Sequence, residues 1–139
     1  APVHAMPLVA LASGVAKMHA ADESAPMNIK KSADTLFASM LANPWVVGDH
    51  GEPDTTIMEE LGFTAKSGYE GVFIISTPDG TTVATKILDG NLRTAPIVAL
   101  KALVRAGALE QSKLDSLIPR LHTDVHGGGK VVGELRTTF

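Results

Sequence analysis

Apolar positions recur at helical spacing through the first third of the chain and give way to β runs in its middle. Leu8, Leu11, Val15 and Met18 predict a helix over residues 7 to 19, with Pro7 in its first turn. Residues 20 to 25 read as a loop. Ser24 is placed to cap a second helix beginning near Pro26, where Ile29, Ala33, Leu36, Phe37, Met40 and Leu41 make an apolar stripe. Lys30, Lys31 and Asp34 fall outside that stripe. Asn43-Pro44 stops the helix, because a residue before proline is pushed toward extended backbone. The segment Trp45 to Pro53 has no period and carries Gly48, Asp49, His50 and Gly51, so it reads as a loop near the site. Asp54 or Thr56 then caps a brief helix closed at Gly62, and Thr56 with Glu59 has capping-box spacing.

Two β runs follow, Gly71 to Thr77 and Thr81 to Leu88, joined by Pro78-Asp79-Gly80 as an antiparallel hairpin. Phe63 to Ser67 supplies a neighbouring strand, with Gly68 and Gly71 at a bend or bulge. Thr94 and Pro96 open a helix whose Ile97, Leu100, Leu103 and Val104 face a core, and Gly107 ends it. Leu109, Leu114, Leu117 and Ile118 continue a further helix to Pro119. Gly127-Gly128-Gly129 reads as slack before a last edge or closing strand, Lys130 to Thr137. The expected fold is α+β: one domain over residues 1–139, with an antiparallel sheet of about three to four strands packed with helices.

Composition narrows the function classes. A chain of 139 residues with 45% hydrophobic content has room for one domain and enough apolar side chains for a core. The absence of cysteine removes disulfides and thiolate metal ligands. A net charge of -3 gives no general attraction to nucleic acid or anionic membrane. No stretch approaches the ~18 apolar residues that cross a bilayer. A cytoplasmic setting is expected. The start without methionine, on apolar residues, suggests a piece of a longer protein.

The candidate chemistry lies in Lys66-Ser67-Gly68, at the mouth of an apolar β run. A partly desolvated lysine amine there gives up its proton more readily and can act as a base or orient an anion. A small hydroxyl donates to a carboxylate, and glycine lets a substrate approach the strand backbone. The same three residues also fit a plain polar turn, with the lysine reaching outward to water. Lys-[Ser/Thr]-Gly is an element of serine-reactive enzymes whose nucleophile lies in a Ser-x-x-Lys motif, and no Ser-x-x-Lys occurs in these residues. His122-x-Asp124-x-His126 has spacing for two imidazoles and a carboxylate on zinc, but it falls in a loop with no third rigid partner. The glycine triplet lacks the flanking residues of a phosphate loop.

Several blocks together resemble the bacterial L-asparaginase II family, whose fold is related to penicillin-binding proteins and glutaminases. They are Ala1-Pro2-Val3-His4-Ala5-Met6-Pro7-Leu8, then Asn43-Pro44 through Asp54-Thr55-Thr56-Ile57-Met58, then Ala65-Lys66-Ser67-Gly68 with Glu70-Gly71-Val72. Lys86-Ile87-Leu88-Asp89-Gly90-Asn91 and the closing Val132-Gly133-Glu134-Leu135-Arg136 complete the series, in family order over nearly the whole chain. The resemblance is to the carboxy-terminal half of that family. It implies an amidohydrolase that releases aspartate and ammonia from asparagine.

By this resemblance Lys66 is the active-site lysine that keeps a hydroxyl deprotonated, while Ser67 and Gly68 face the substrate's α-carboxylate. Asp54 matches a position that is acidic or thiol-bearing in relatives and is implied to bind the substrate ammonium or steer nearby hydroxyls. A helix N-cap accounts for it equally well. Glu70 is implied to hold Lys66, although a hairpin carboxylate is commonly just solvated. Asp89 and Asn91 fit a family turn and read as structural. One departure stands out: Glu52 occupies a position where the family carries arginine. Zinc in the family is held by the missing amino-terminal half, where a cysteine would immediately precede Ala1, so no cofactor is expected in this chain. The implied partners are asparagine, the missing amino-terminal half and further copies of the chain, since a half-domain exposes apolar faces. The fragment alone is expected to be inactive. Two alternatives remain open on the residues alone: a non-catalytic amino-acid-binding or assembly module, and a glutaminase-like or peptidase activity on the same scaffold.

Overall fold

Prolines set where the first helices begin in the computed structural model, which describes residues 4–21 and 26–139. Pro7 has φ -59° and ψ 144°, outside the helix, yet its carbonyl accepts from the amides of Ala10 and Leu11 and so launches α1, Leu8–His19. Pro26 launches α2, Met27–Ala42, in the same way. The cap expected from Ser24 lies outside the described residues. The apolar stripe of α2 is shallower than its spacing predicts. Ala33 is buried, but Ile29 and Leu36 are exposed, because α2 covers the more open face of the sheet.

Asn43 ends α2, and the chain then departs from the expected loop. Pro44 cannot continue a helix but suits the first position of a new one, and Pro44–Gly48 forms the short α3. Pro53 does the same for α4, Pro53–Leu61. Glu52 is therefore the residue flanking that helix, without a side-chain cap, and neither Asp54 nor Thr56 is the N-cap. Both lie inside the first turns, and both are buried. The capping box expected from Thr56 and Glu59 is accordingly absent. Gly62, at φ 65°, closes α4 as expected.

Three strands follow: β1 Thr64–Gly68, β2 Val72–Ser76 and β3 Thr82–Lys86. They form an antiparallel sheet in the order β1-β2-β3, with Lys66 opposite Ile74 and Phe73 opposite Thr85. A tight turn over Tyr69–Gly71 joins the first two. Gly71 sits there at φ 72°, with its carbonyl accepting from Ile87 N; a Cβ on it would lie 2.9 Å from the Ile87 carbonyl oxygen. In the β2–β3 turn the Thr77 hydroxyl and the Thr81 amide both donate to Asp79, holding its carboxyl below the usual carboxylate range.

The two faces of the sheet are unequal. Phe73 and Ile75 point from β2 into the core against α5, Ala95–Arg105, where Ala99, Leu100 and Leu103 are fully buried. Ile57 and Met58 of α4 and Leu114 and Leu117 of α6, Gln111–Leu117, complete this layer. Burying each such side chain stabilises the fold by about 1.5–3 kcal/mol. The opposite face, bearing Val72 and Ile74, is half-buried beneath α1 and α2, and α1 has no fully buried residue. The result is the expected α+β architecture, with helices on an antiparallel sheet.

The final segment does not join that sheet. Lys130–Glu134 is β5, paired antiparallel with β4, Asp124–Gly127, in a separate hairpin. Gly128 and Gly129, at φ 57° and 76°, make its turn, so the glycine triplet is turn chemistry rather than slack. Among the described residues no helix is long and apolar enough to cross a membrane.

Candidate active site

Asp54 is the centre of the candidate site, and its position follows from the meeting of α3, α4 and β1. It lies in the first turn of α4, where the helix dipole favours a carboxylate. The Thr55 hydroxyl, 2.6 Å from the carbonyl oxygen of Asp49 and 3.2 Å from that of Pro44, ties α4 to α3. Gly48 makes the approach possible: a Cβ on it would lie 2.6 Å from the Asp54 Cβ.

Asp54 is 3% exposed, yet its carboxylate is partnered. The Ser67 amide donates to Oδ1 at 2.5 Å. The Lys66 amine lies 3.8 Å from the same oxygen and donates to the Ser67 carbonyl at 2.8 Å. The Ser67 hydroxyl is 3.4 Å from that amine. Two neighbouring strand residues, Lys66 and Ser67, thus converge on one carboxylate oxygen of Asp54, which a helix earlier in the chain presents.

Strand alternation places Lys66 and Ser67 on opposite faces of β1. Ser67 lines a recess of about 220 Å³ together with Asp54, Phe73, Arg93, Leu121 and His122. Lys66 instead borders an apolar hollow of about 460 Å³, lined by Met18, Phe37, Met40, Ala65 and Ile74. Because β1 is at the edge of the sheet, the long lysine stem reaches around the strand to Asp54. The desolvation expected of Lys66 is not provided by the described residues, for its side chain is 51% exposed.

Gly68 and Glu70 stand apart. Gly68 lines a different hollow with Tyr69, Val72 and Lys86. Glu70 has φ 64°, is exposed, and accepts from the Lys86 amine through its backbone carbonyl. The carboxylate paired with Lys66 is that of Asp54, not that of Glu70. Asp89 and Asn91 behave as turn residues: Asp89 Oδ1 accepts from Asn91 N at 2.9 Å, and Asn91 Oδ1 from Arg93 N at 3.0 Å.

Arg93 is a recess residue that the motifs do not single out, and His122, read in the sequence only as a candidate zinc ligand, is another member of the same wall. The signal for Arg93 is its place directly after an Asx turn that opens a helix, which fixes its backbone. The signal for His122, its spacing to Asp124 and His126, pointed to a metal rather than to this recess. His122 takes φ 55° at the recess wall, and its Nε2 is 3.0 Å from the Gly51 carbonyl oxygen. The spacing His122-x-Asp124-x-His126 does not become a metal centre: among the described residues no three histidine, aspartate or glutamate side chains are grouped to hold an ion. The chain has no cysteine to add a thiolate ligand there.

No curated protein matches the chain. A family model described as L-asparaginase II matches residues 1–137, the helices, sheet and Asp54–Lys66–Ser67 cluster included. The chain belongs to the L-asparaginase II family.

Proposed function

We propose that the chain supplies the Asp54–Lys66–Ser67 side of an asparaginase-type amidohydrolase, whose nucleophilic serine comes from polypeptide outside these 139 residues. The observation that carries the reading is the convergence of the Lys66 amine and the Ser67 amide on a buried Asp54 oxygen. The family match and the lack of a Ser-x-x-Lys within the chain support it. In this reading Lys66 holds the proton of the attacking hydroxyl. Asp54 keeps the amine in place, and covering polypeptide removes the water that now reaches it. The serine oxygen adds to the side-chain amide carbon of asparagine, backbone donors hold the oxyanion, and ammonia leaves with a proton. Water then adds to the acyl ester and releases aspartate, returning the serine. No cofactor enters this chain's part of the reaction.

Ammonia release from asparagine by the complete gene product tests the proposal. Lys66→Ala is expected to lower kcat by roughly 10²–10⁴. An unchanged rate would remove Lys66 from the chemistry. The isolated 139 residues are expected to release none, and robust turnover by them would place the nucleophile within the chain. Self-association belongs to the same proposal, because Val9, Trp45 and Val46 are exposed apolar side chains. A monodisperse monomer in light scattering would count against it.

A further inference from the structure

Two aspartates, Asp79 and Asp89, precede a glycine, and no asparagine does. An aspartate so placed is open to an internal reaction, because glycine puts no side chain in the way of its own amide nitrogen. That nitrogen attacks Cγ of the protonated carboxyl. The N–Cγ bond forms, the bond from Cγ to the hydroxyl breaks, and the hydroxyl leaves with the amide proton as water. Water then adds to either carbonyl of the five-membered succinimide. Breaking the N–Cγ bond restores aspartate. Breaking the bond from nitrogen to the former main-chain carbonyl leaves glycine joined through Cγ, an isoaspartate, with nothing oxidised or reduced.

The two sites share one backbone and differ in what surrounds it. In each turn the glycine amide donates three residues back, Gly80 to the Thr77 carbonyl and Gly90 to the Ile87 carbonyl, both at 3.0 Å. The glycines have φ 88° and 79°, and each aspartate accepts from the amide two residues on, Thr81 at 3.1 Å and Asn91 at 2.9 Å. Asp79 has three further restraints. The Thr77 hydroxyl also donates to its Oδ1 and helps hold the carboxyl below the usual range, in the ionised form that the glycine nitrogen does not attack. Pro78 fixes φ in the turn. Its Gly80 lies against α1, where a Cβ would come 3.4 Å from the Ala16 carbonyl oxygen. Asp89 has Ile87 and Leu88 in place of Thr77 and Pro78, and Leu88 is 96% exposed. Beside Gly90 a Cβ would meet only the Glu70 backbone, at 3.7 and 3.8 Å.

We propose that Asp89-Gly90 is a site of spontaneous isoaspartate formation, that the fold protects the matching Asp79-Gly80, and that modification at Asp89 loosens one wall of the recess. The link is short. Asp89 Oδ1 holds the Asn91 amide, and Asn91 Oδ1 holds that of Arg93, opening the turn Leu92–Thr94 that sets Leu92 and Arg93 on the recess wall. Isoaspartate draws Cγ into the main chain and adds a methylene to it, so the side-chain acceptor for Asn91 is lost.

Ageing the 139-residue protein in heavy-oxygen water tests the proposal, since each hydrolysis of the ring leaves a heavy oxygen behind. Trypsin cuts after lysine and arginine, so Asp79 and Asp89 fall in separate peptides, residues 67–86 and 87–93. Attack requires the turn to open locally, and isoaspartate is expected to accumulate at Asp89 at least about tenfold faster than at Asp79. In concentrated urea the two rates are expected to converge. Thr77→Val is expected to raise the rate at Asp79, and Asp89→Glu, whose ring would need six members, to remove the signal from residues 87–93. Should Thr77→Val fail to fold, the comparison of native and urea-unfolded wild type decides. Hydrogen exchange at residues 91–93 is expected to be about tenfold faster in the isomerised form than in fresh protein. Equal rates at the two sites in the native state, or a difference that persists in urea, overturns the protection by the fold. Unchanged exchange at residues 91–93 overturns the link to the recess.

Discussion

Gly48 governs the candidate site without touching a substrate. Its missing side chain is what allows α3 to lie against Asp54 and Thr55, and a Cβ there would also come within 3.1 Å of the Thr55 amide nitrogen. Backbone does not yield as a flexible side chain would. Gly48→Ala is therefore expected to cost about 1–3 kcal/mol, read as a lower denaturation midpoint, and to displace Asp54. Wild-type stability in that variant would show that α3 moves freely. Asp54 itself allows a sharper test. Removing its carboxylate strands the Ser67 amide in a partly buried place, whereas asparagine keeps an oxygen at the same position. Asp54→Ala is expected to cost about 1–3 kcal/mol and Asp54→Asn less. Equal losses in chemical denaturation would mean that the hydrogen bond to Ser67 contributes nothing. The local pattern around Asp54 suggested only a helix cap, and a ligand contact was implied by the family resemblance alone. The link of Asp54 to Ser67 spans 13 residues through tertiary packing, which a local pattern does not encode.

At the scale of elements, the sequence was legible wherever local chemistry decides. Pro7, Gly62, Pro78-Asp79-Gly80 and Gly107 act by fixing or freeing single backbone angles, and the helix ends and the hairpin turn stand where those residues put them. It was misread where a residue has two local solutions. Pro44 both stops α2 and starts α3, and Pro53 moves the start of α4 ahead of Asp54. The depth of α2 was also hidden, because an apolar stripe does not say how much of it a partner covers. That thin layer is held partly by His19 at the end of α1. Its ring stacks on Phe37 of α2 at 3.7 Å, and its Nε2 is 3.0 Å from the Thr64 hydroxyl of β1. Burial lowers the His19 pKa below 6.5. The unfolded chain therefore binds the proton more readily than the folded one. Stability is complete above about pH 6.5 and falls as pH drops from there through the lowered folded value. Unfolding measured across this range should show the loss, and His19→Gln should flatten it. An equal slope in the variant would assign the effect to other groups.

For the molecule as a whole, the core and the tail make separate contributions. Among the described residues every buried hydrophobic side chain lies between Ala33 and Leu121, and the layer of α4, α5, α6 and the sheet closes before β4 begins. The β4–β5 hairpin bonds mainly to itself, all of β5 is exposed, and its tie to the rest includes the Leu135 amide donating to the Thr123 carbonyl at 2.7 Å. A hairpin of this kind adds little to the cooperative unit, since its apolar surface is already in water whether the core is folded or not. The family resemblance of Val132-Gly133-Glu134-Leu135-Arg136 thus marks a segment that the core does not need. Removing residues 124–139 is expected to lower stability by less than about 2 kcal/mol and to shift Tm by only a few degrees. Ile75→Ala, at a site with no exposed surface, is expected to cost about 2–5 kcal/mol because a cavity remains beneath the sheet. Thermal unfolding of the two variants side by side separates these contributions. If the truncated chain unfolds as readily as Ile75→Ala, the hairpin is part of the cooperative core, and its exposed surface is not a guide to its role.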